Sequence, residues 1–283
     1  MVMSTTSTVS RIIFNFNGKC NMNCPYCYIP FRQADGSLEL WKNIIVRCKQ
    51  WKPKMIVFGG GDPFMFQGFR DLLRFSHDEE IFIHVDTNAL ALHPRDVQLI
   101  IDSVDQIGLP FDGTETSHAA MRKHPKHFAV VRKWLEELLN KGVRVKVNTV
   151  VSALNKDTLF ELAEFLQGYP ISQWCLYQFW PLEAGLQNEA VFRISDDEYL
   201  AVAQLIAKKY SFTKIDIATV ASRLSSHFFV SSTGVAYTED INNVSDYIFL
   251  GSIFDDDILT KWQKYGNDSI AAARANFRMN VEQ

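Results

Sequence analysis

The sequence has little of what would tie it to a membrane, to nucleic acid or to an oxidising compartment. No apolar run approaches the roughly 20 residues that span a bilayer. The opening Met1-Val2-Met3-Ser4-Thr5-Thr6-Ser7-Thr8 lacks the apolar middle of a signal peptide and reads as part of a disordered lead-in over residues 1–9. Lys and Arg total 29 against 32 Asp and Glu, a net charge of −3, so no broad basic face for nucleic acid is expected. Cysteine is scarce at five residues, and three of them are clustered. That pattern fits a reducing cytoplasm rather than a disulfide scaffold.

What is present suits one large domain with a small appendage: 283 residues, 47% hydrophobic and 22% charged. Apolar strands are expected at 11–16, 55–58, 81–86, 105–110, 143–151 and 173–179. Helical patterns fall between them near 38–51, 66–76, 94–102, 126–141 and 157–167, with another near 196–210. In the stretch 126–141, Val130, Val131, Trp134, Leu135, Leu138 and Leu139 make one stripe, which Gly142 ends. Ser195 with Glu198 three residues later is a capping box. Repeated β-α units imply a parallel sheet with right-handed crossovers. Six units do not close an eight-stranded barrel, so the fold class is α/β, an open (β/α)6 partial barrel over residues 10–210. Ligands are expected at the C-terminal ends of its strands. Residues 211–283 read as a C-terminal extension. It holds two short strands around a turn at Gly234, a further apolar stretch 247–255, a helix near 256–264 and a polar, loosely held tail from 266.

Cys20, Cys24 and Cys27 lie in Asn17-Gly18-Lys19-Cys20-Asn21-Met22-Asn23-Cys24-Pro25-Tyr26-Cys27-Tyr28, spaced C-x3-C-x2-C just after the first strand. Three thiolates on one tight loop can hold three irons of a [4Fe–4S] cluster, which normally takes four cysteines, leaving one iron open. An open metal position marks a site that does chemistry. Zinc is a competing reading, but structural zinc takes four ligands and commonly pairs two C-x2-C units, and no second pair exists. Unrelated buried thiols are the blandest reading. The aromatic Tyr26 directly before Cys27 favours the cluster. Cys48 and Cys175 are too isolated to form a second one.

Two strands carry polar residues on a face that should point into the barrel. Lys146, Asn148 and Val150 share one face of the fifth strand, and Gln173, Cys175 and Tyr177 share one face of the sixth. Buried polar groups are costly unless they meet a ligand or a partner. Lys146, Gln173 and Tyr177 are therefore candidate substrate contacts. A lysine near a strand start also reaches solvent easily. Cys175 is a candidate hydrogen-atom donor, its S–H bond being weak; an inert buried thiol is the plainer reading.

The cysteine loop resembles the signature C-x3-C-x-Φ-C of the radical S-adenosylmethionine (SAM) enzymes, with Φ aromatic. The resemblance implies a [4Fe–4S] cluster held by Cys20, Cys24 and Cys27. SAM chelates the open iron and is cleaved reductively to a 5′-deoxyadenosyl radical. An electron donor such as flavodoxin or ferredoxin is implied as well. Phe58-Gly59-Gly60-Gly61-Asp62-Pro63-Phe64 is similar to the family's glycine-rich motif, which implies that Gly60, Gly61 and Asp62 meet the SAM amino group, with Asp62 standing where glutamate is commoner. By the same resemblance Tyr26, Asn88, Asp112, Asn148 and Leu182 are cofactor contacts, and Arg122 pairs with the SAM carboxylate. An ordinary turn at 86–88 and a solvated Arg122 are the plainer alternatives. The C-terminal extension resembles one that often carries extra clusters. Here the cysteines for them are missing, so a cluster-free cap over the barrel mouth is expected.

Within the superfamily, Lys146-Val-Asn148-Thr-Val-Val, Trp174-x-x-Tyr177-Gln178 and Arg193-Ile-Ser195-Asp196-Asp197-Glu198 resemble the viperin-like group, which dehydrates the ribose of nucleoside triphosphates. Met55, Gln173 and Cys175 stand where that group carries cations, which argues against a triphosphate. Its radical-quenching tyrosine falls near Phe228, with Tyr237 a further candidate. Three readings follow: a radical SAM oxidoreductase or lyase acting on a small molecule (nucleoside, sugar or amino acid), the same machinery acting on a peptide, and a metal-binding protein without catalysis.

Overall fold

The computed structural model describes residues 9–30, 36–77 and 80–279, with backbone alone at 16 and 17. Of the expected lead-in, residues 1–8 lie outside the described residues, while Val9 is already fully buried in the core. The units that follow are β1 (Arg11–Asn17), α1 (Leu38–Lys49), β2 (Met55–Gly60), α2 (Phe69–Ser76), β3 (Phe82–Asp86), α3 (Asp96–Ser103) and β4 (Gln106–Pro110). Then come α4 (Glu115–Arg122), α5 (His127–Asn140), β5 (Val145–Val151), α6 (Leu159–Leu166) and β6 (Gln173–Gln178). Each of these strands pairs in parallel with the next. Apolar runs such as Met55-Ile56-Val57-Phe58 are buried on both faces, the pattern a helix-covered parallel strand requires. The α5 stripe buries Val131, Trp134, Leu135 and Leu138, as its spacing dictates.

After β6 come α7 (Ala184–Gln187), α8 (Glu189–Phe192) and α9 (Asp196–Lys209), the last opened by the expected Ser195–Glu198 capping box. The chain then makes β7 (Lys214–Ala218), which the sequence reading did not include. Its five residues alternate with charged Lys214 and Asp216, so no apolar run announces it. β8 (Phe228–Ser231) pairs in parallel with β1, and β9 (Val235–Glu239) and β10 (Tyr247–Ser252) add antiparallel strands outside it. One ten-stranded sheet results, in the order β10-β9-β8-β1-β2-β3-β4-β5-β6-β7. The expected six-strand wall is thus extended at both edges. β7 and β8, neighbours in sequence, are added on opposite sides of that wall, with β9 and β10 beyond β8, so the sheet does not close between β7 and β8.

The C-terminal region corrects two expectations. After α10 (Ile258–Tyr265) the chain forms α11 (Asp268–Met279), an ordered helix rather than a loose tail. The extension thereby packs under the barrel as well as over its mouth. The N–H and Oγ of Ser10 donate to the Asp268 carboxylate at 2.7 and 2.6 Å, and Lys54 Nζ donates to Asn276 Oδ1 at 3.1 Å. Gln173 Nε2 donates to the carbonyls of Phe277 and Arg278 at 2.6 and 3.1 Å. Ser10, Lys54 and Gln173 precede or open β1, β2 and β6, so the helix crosses the N-terminal ends of the strands. Its buried stripe is Ala271 and Ala275, small residues that let the backbone approach closely but read as weakly apolar. The turn between β9 and β10 reaches the other end: Trp180 Nε1 donates to the Val244 carbonyl at 2.6 Å, and Tyr247 Oη donates to the Tyr28 carbonyl at 2.9 Å.

Ala275 packs against Ile13, Met55 and Val57 with no exposed surface. Ala275→Leu overfills that contact and is expected to cost about 1–3 kcal/mol in urea unfolding. An unchanged midpoint would mean that α11 is not docked in solution.

Candidate functional site

One cavity runs down the barrel from the cysteine loop to the floor. Of the residues expected at a cofactor, Cys20, Cys24, Cys27, Tyr26, Gly60 and Gly61 line it, as do Asn88, Arg122, Asn148 and Leu182, and with them the expected substrate contact Tyr177. The loop is fixed at several points. Cys27 N–H donates to the Cys24 carbonyl at 3.1 Å, Asp62 N–H to the Lys19 carbonyl at 3.0 Å, and Gly185 N–H to the Cys27 carbonyl at 3.4 Å. Gly60 holds φ +95°, where any side chain would be strained, so the backbone can turn towards the cavity. Burial raises the thiol pKa of Cys20 and Cys24, with Arg122 opposing it at Cys24. Cys20, Cys24 and Cys27 all line the cavity; three thiols suit a cage in which each of three irons takes one of them, whereas structural zinc takes four ligands.

Asp62 and Asp112 do not line the cavity, which corrects the expectation that they touch the cofactor. Both carboxylates are fully buried and spent on the protein itself. Asp62 accepts from Phe64 N–H (3.0 Å), Thr87 Oγ1 (2.7 Å) and Asn88 N–H (2.8 Å), tying the glycine loop to the end of β3. Burial still pushes its pKa up to about 6. Asp112 Oδ2 accepts from Tyr26 Oη at 2.5 Å and Arg122 Nε at 2.7 Å, and Oδ1 accepts from Val150 N–H at 2.8 Å. Arg122 lies over the Tyr26 ring, 5.7 Å from its centroid, with Nη1 3.9 Å from Cys24 Sγ. Burial disfavours its charge, but Asp112 and Tyr26 outweigh that and hold its pKa above the ordinary value.

A histidine chain, absent from the sequence reading, connects these groups. Asp112 N–H donates to His118 Nδ1 at 3.1 Å, so His118 carries its proton on Nε2 and donates it to His127 Nδ1 at 2.7 Å. His127 Nε2 in turn donates to the Asn88 carbonyl at 2.7 Å. Burial, then the Arg122 charge, lowers the two pKa values to about 2 and about 3, so both rings are neutral. Asn88 Nδ2 reaches Asn21 Oδ1 at 2.8 Å and Cys20 Sγ at 3.4 Å. The chain thereby fixes Asn88 against the cysteine loop.

Lower down, Asn148 Nδ2 donates to Asp86 Oδ1 at 2.7 Å, and His84 Nε2 lies 2.9 Å from the same oxygen. Gly108 makes this possible, because a Cβ there would sit 1.9 Å from Asp86 Oδ1. Lys146 is fully buried, does not line the cavity and donates to Tyr177 Oη at 3.1 Å; it supports Tyr177 rather than facing a substrate. Gln173 is spent on the α11 carbonyls. Cys175 is buried with Sγ 3.6 Å from Asp216 Oδ2 and no wall of the cavity, the inert reading rather than the hydrogen donor. Tyr237 is likewise off the cavity, stacked on Phe229 at 5.1 Å and bonded to Asn15 Nδ2, so it is not placed to quench a radical there. The floor instead holds Arg11, Arg223, Arg278, His227 and Glu239. Arg11 was legible as a charge on the inward face of an apolar strand. Arg278 had no signal, since its place depends on how α11 docks.

A family model described as the radical SAM superfamily matches residues 14–166. An S-adenosylmethionine-dependent nucleotide dehydratase of Selenomonas ruminantium is 22% identical over 277 residues, covering 93% of this chain and 97% of that protein. An AdoMet-dependent heme synthase of Nitratidesulfovibrio vulgaris is 22% identical, covering 82% of this chain and only 66% of its own length. The crystal structure of Streptococcus suis SuiB bound to S-adenosylmethionine superposes with a TM-score of 0.69 at 14% identity, over 95% of this chain and 68% of SuiB. SuiB is also known bound to its precursor peptide SuiA. At such identity the structural likeness shows the fold alone.

Asp112→Ala strands the buried Arg122 charge and is expected to cost about 3–5 kcal/mol in urea unfolding; a loss below about 1 kcal/mol would show that another group carries that charge. Glu239 is bonded to His227, and burial pushes its carboxyl up to about 8 while burial and Arg11 lower His227. The folded state thus keeps a proton that the unfolded chain releases near 4.5. Taken alone, Glu239 contributes stability that is present below 4.5 and lost as pH rises towards 8, but His227, neutral in the fold, takes up a proton on unfolding below 6.5, so the two offset each other between those values and the net decline lies above 6.5. Glu239→Gln should flatten this decline in unfolding midpoints measured from pH 6.5 to 8, and a parallel decline in the variant would assign it to another group.

Proposed function

The chain belongs to the radical SAM superfamily, and we propose that it is an enzyme of that family which takes a hydrogen atom from a small organic substrate held in the barrel cavity. The superfamily uses a [4Fe–4S] cluster and SAM. Here Cys20, Cys24 and Cys27 would hold three irons, and the bound pair of cofactors supplies a carbon-centred radical able to abstract hydrogen. The remaining tasks fall to the protein's own groups. The backbone at Gly60 and Gly61 offers carbonyls to the SAM ammonium, and Arg122, kept charged by Asp112, faces its carboxylate. Asn88 steadies the cysteine loop, and Tyr26 and Leu182 add apolar wall. Asn148 and Tyr177 present hydrogen-bonding groups below, where a substrate would sit.

The observation that carries this reading is that the three thiols, the two glycines, Arg122, Asn148 and Tyr177 all line one cavity. α11 closes the floor, which favours a compact substrate over a peptide. Coverage of nearly the whole length of the nucleotide dehydratase supports a nucleotide as the second reading. A one-electron donor of the flavodoxin or ferredoxin type suits the cluster, and a reducing cytoplasm suits cysteines that form no disulfide.

Anaerobic reconstitution with iron and sulfide should give a brown protein that forms 5′-deoxyadenosine from SAM under dithionite. Cys24→Ala is expected to reduce that product to background. Undiminished cleavage in the variant would overturn the ligand assignment, and colourless wild type without product would overturn the reading as a whole.

A further inference from the structure

The cavity floor carries more positive charge than the protein neutralises. Arg11 opens β1 and faces inward on the same side as Ile13, both lining the cavity. It is 2% exposed, and its Nε and Nη1 have no hydrogen-bond partner among the described residues. Arg278 comes up from α11, 3% exposed; its Nη2 donates to Tyr177 Oη at 2.7 Å and its Nη1 has no partner. Arg223 closes the third side, with Nε on the Thr219 carbonyl at 3.1 Å and its guanidinium 4.7 Å above the Trp180 ring.

Asp216 pairs with Arg274 at 3.1 Å and Glu239 is bonded to His227. Asp86 is held by His84 and Asn148, and its charge favours both Arg11 and Arg278. No ion pair reaches Arg11 among the described residues. One carboxylate does not offset two buried guanidinium groups that repel each other and keep N–H donors idle, and such an excess of buried charge is costly. Burial, then Arg278 and Arg274, lowers the Arg11 pKa accordingly. Proteins retain such a cost where a ligand removes it.

We propose that Arg11 and Arg278, with Arg223 beside them, bind an oxyanion of the substrate, a carboxylate or a phosphate group, so that the substrate is an acid anchored at the floor with its reacting carbon directed towards the cysteine loop. This rests on the reading of the chain as a radical SAM enzyme and names the substrate class for it. The oxyanion is not that of SAM. A strand rises about 3.3 Å per residue, so Arg11 lies roughly 20 Å from the end of β1 that leads into the cysteine loop. Arg122 stands next to that loop for the SAM carboxylate. Guanidinium forks match the paired oxygens of either anion, which is the chemistry that Arg11 and Arg278 leave unused.

The test reads thermal unfolding of the full chain in rising sodium phosphate or sodium acetate, against sodium chloride at matched ionic strength. The wild type is expected to show a saturable rise in Tm with one of the two probes beyond the chloride response. Phosphate as the active probe points to a phosphate ester, and acetate to a carboxylic acid. Arg11→Met should start from a higher Tm than wild type, because an unpaired buried charge is gone, and should lose the anion response. Arg278→Gln, which keeps a donor for Tyr177, should lose it too and covers the case in which Arg11→Met does not fold. A wild type that responds to both probes as to chloride overturns the proposal, as does an anion response surviving in the variants. SAM cleavage is not read, so a failure here leaves the radical reading standing, and absent 5′-deoxyadenosine with an intact anion response separates the two the other way.

Discussion

A carboxylate that never meets water organises the upper half of this site. Asp112 takes the hydroxyl of Tyr26, the guanidinium of Arg122 and the amide of Val150, and through its own N–H it starts the histidine chain that ends on Asn88. Cysteine loop, β4, β5, α4 and the end of β3 are thereby pinned to one buried charge. In a low-dielectric interior such a group is costly alone and strong when fully bonded. Asp62 does the same on the other side, joining the glycine loop to Thr87 and Asn88. Neither carboxylate lines the cavity, yet the groups that do are placed by them. Acidic residues that look like ligands in the sequence serve here as anchors for ligands.

The lower half follows a different logic. Splitting the wall between β7 and β8 leaves the barrel open along one side, and α11 closes it from beneath. Most groups of the upper network are paired, whereas the floor keeps guanidinium N–H donors idle. Fully bonded polar networks fix one geometry; idle donors on a cavity wall are available to a ligand. The contrast separates the end that must hold a reactive centre rigidly from the end that must accept and release something. It also relocates the positive charge. Met55, Gln173 and Cys175 supply none, and the arginines come from the start of β1, the segment before β8 and α11.

Much of this was legible in the chain itself. The six apolar strands, their helices and the Ser195 capping box could be read because burial on both faces of a parallel strand and one-stripe packing of a helix demand repeating patterns. C-x3-C-x2-C was legible because ligand spacing on one loop is a local property. Gly60 and Gly61 were legible for the same reason, since their use depends on their own backbone. The sequence also showed which side chains on β5 and β6 point inward, but not what they meet there. Lys146, Gln173 and Cys175 each faced inward as alternation requires, and each was taken up by a neighbour before reaching the cavity.

Local chemistry, then, determined the wall, the cysteine loop and the glycine turn, whose causes lie within a few residues of each other. Tertiary structure alone decided that β7 joins one edge and β8 the other, that an alanine-striped tail docks as the floor, and that Arg11 and Arg278, 267 positions apart by subtraction of their numbers, share a cavity. The physical reason is that a charge left without a counter-charge is a property of everything packed around it, and no stretch of sequence contains its own surroundings.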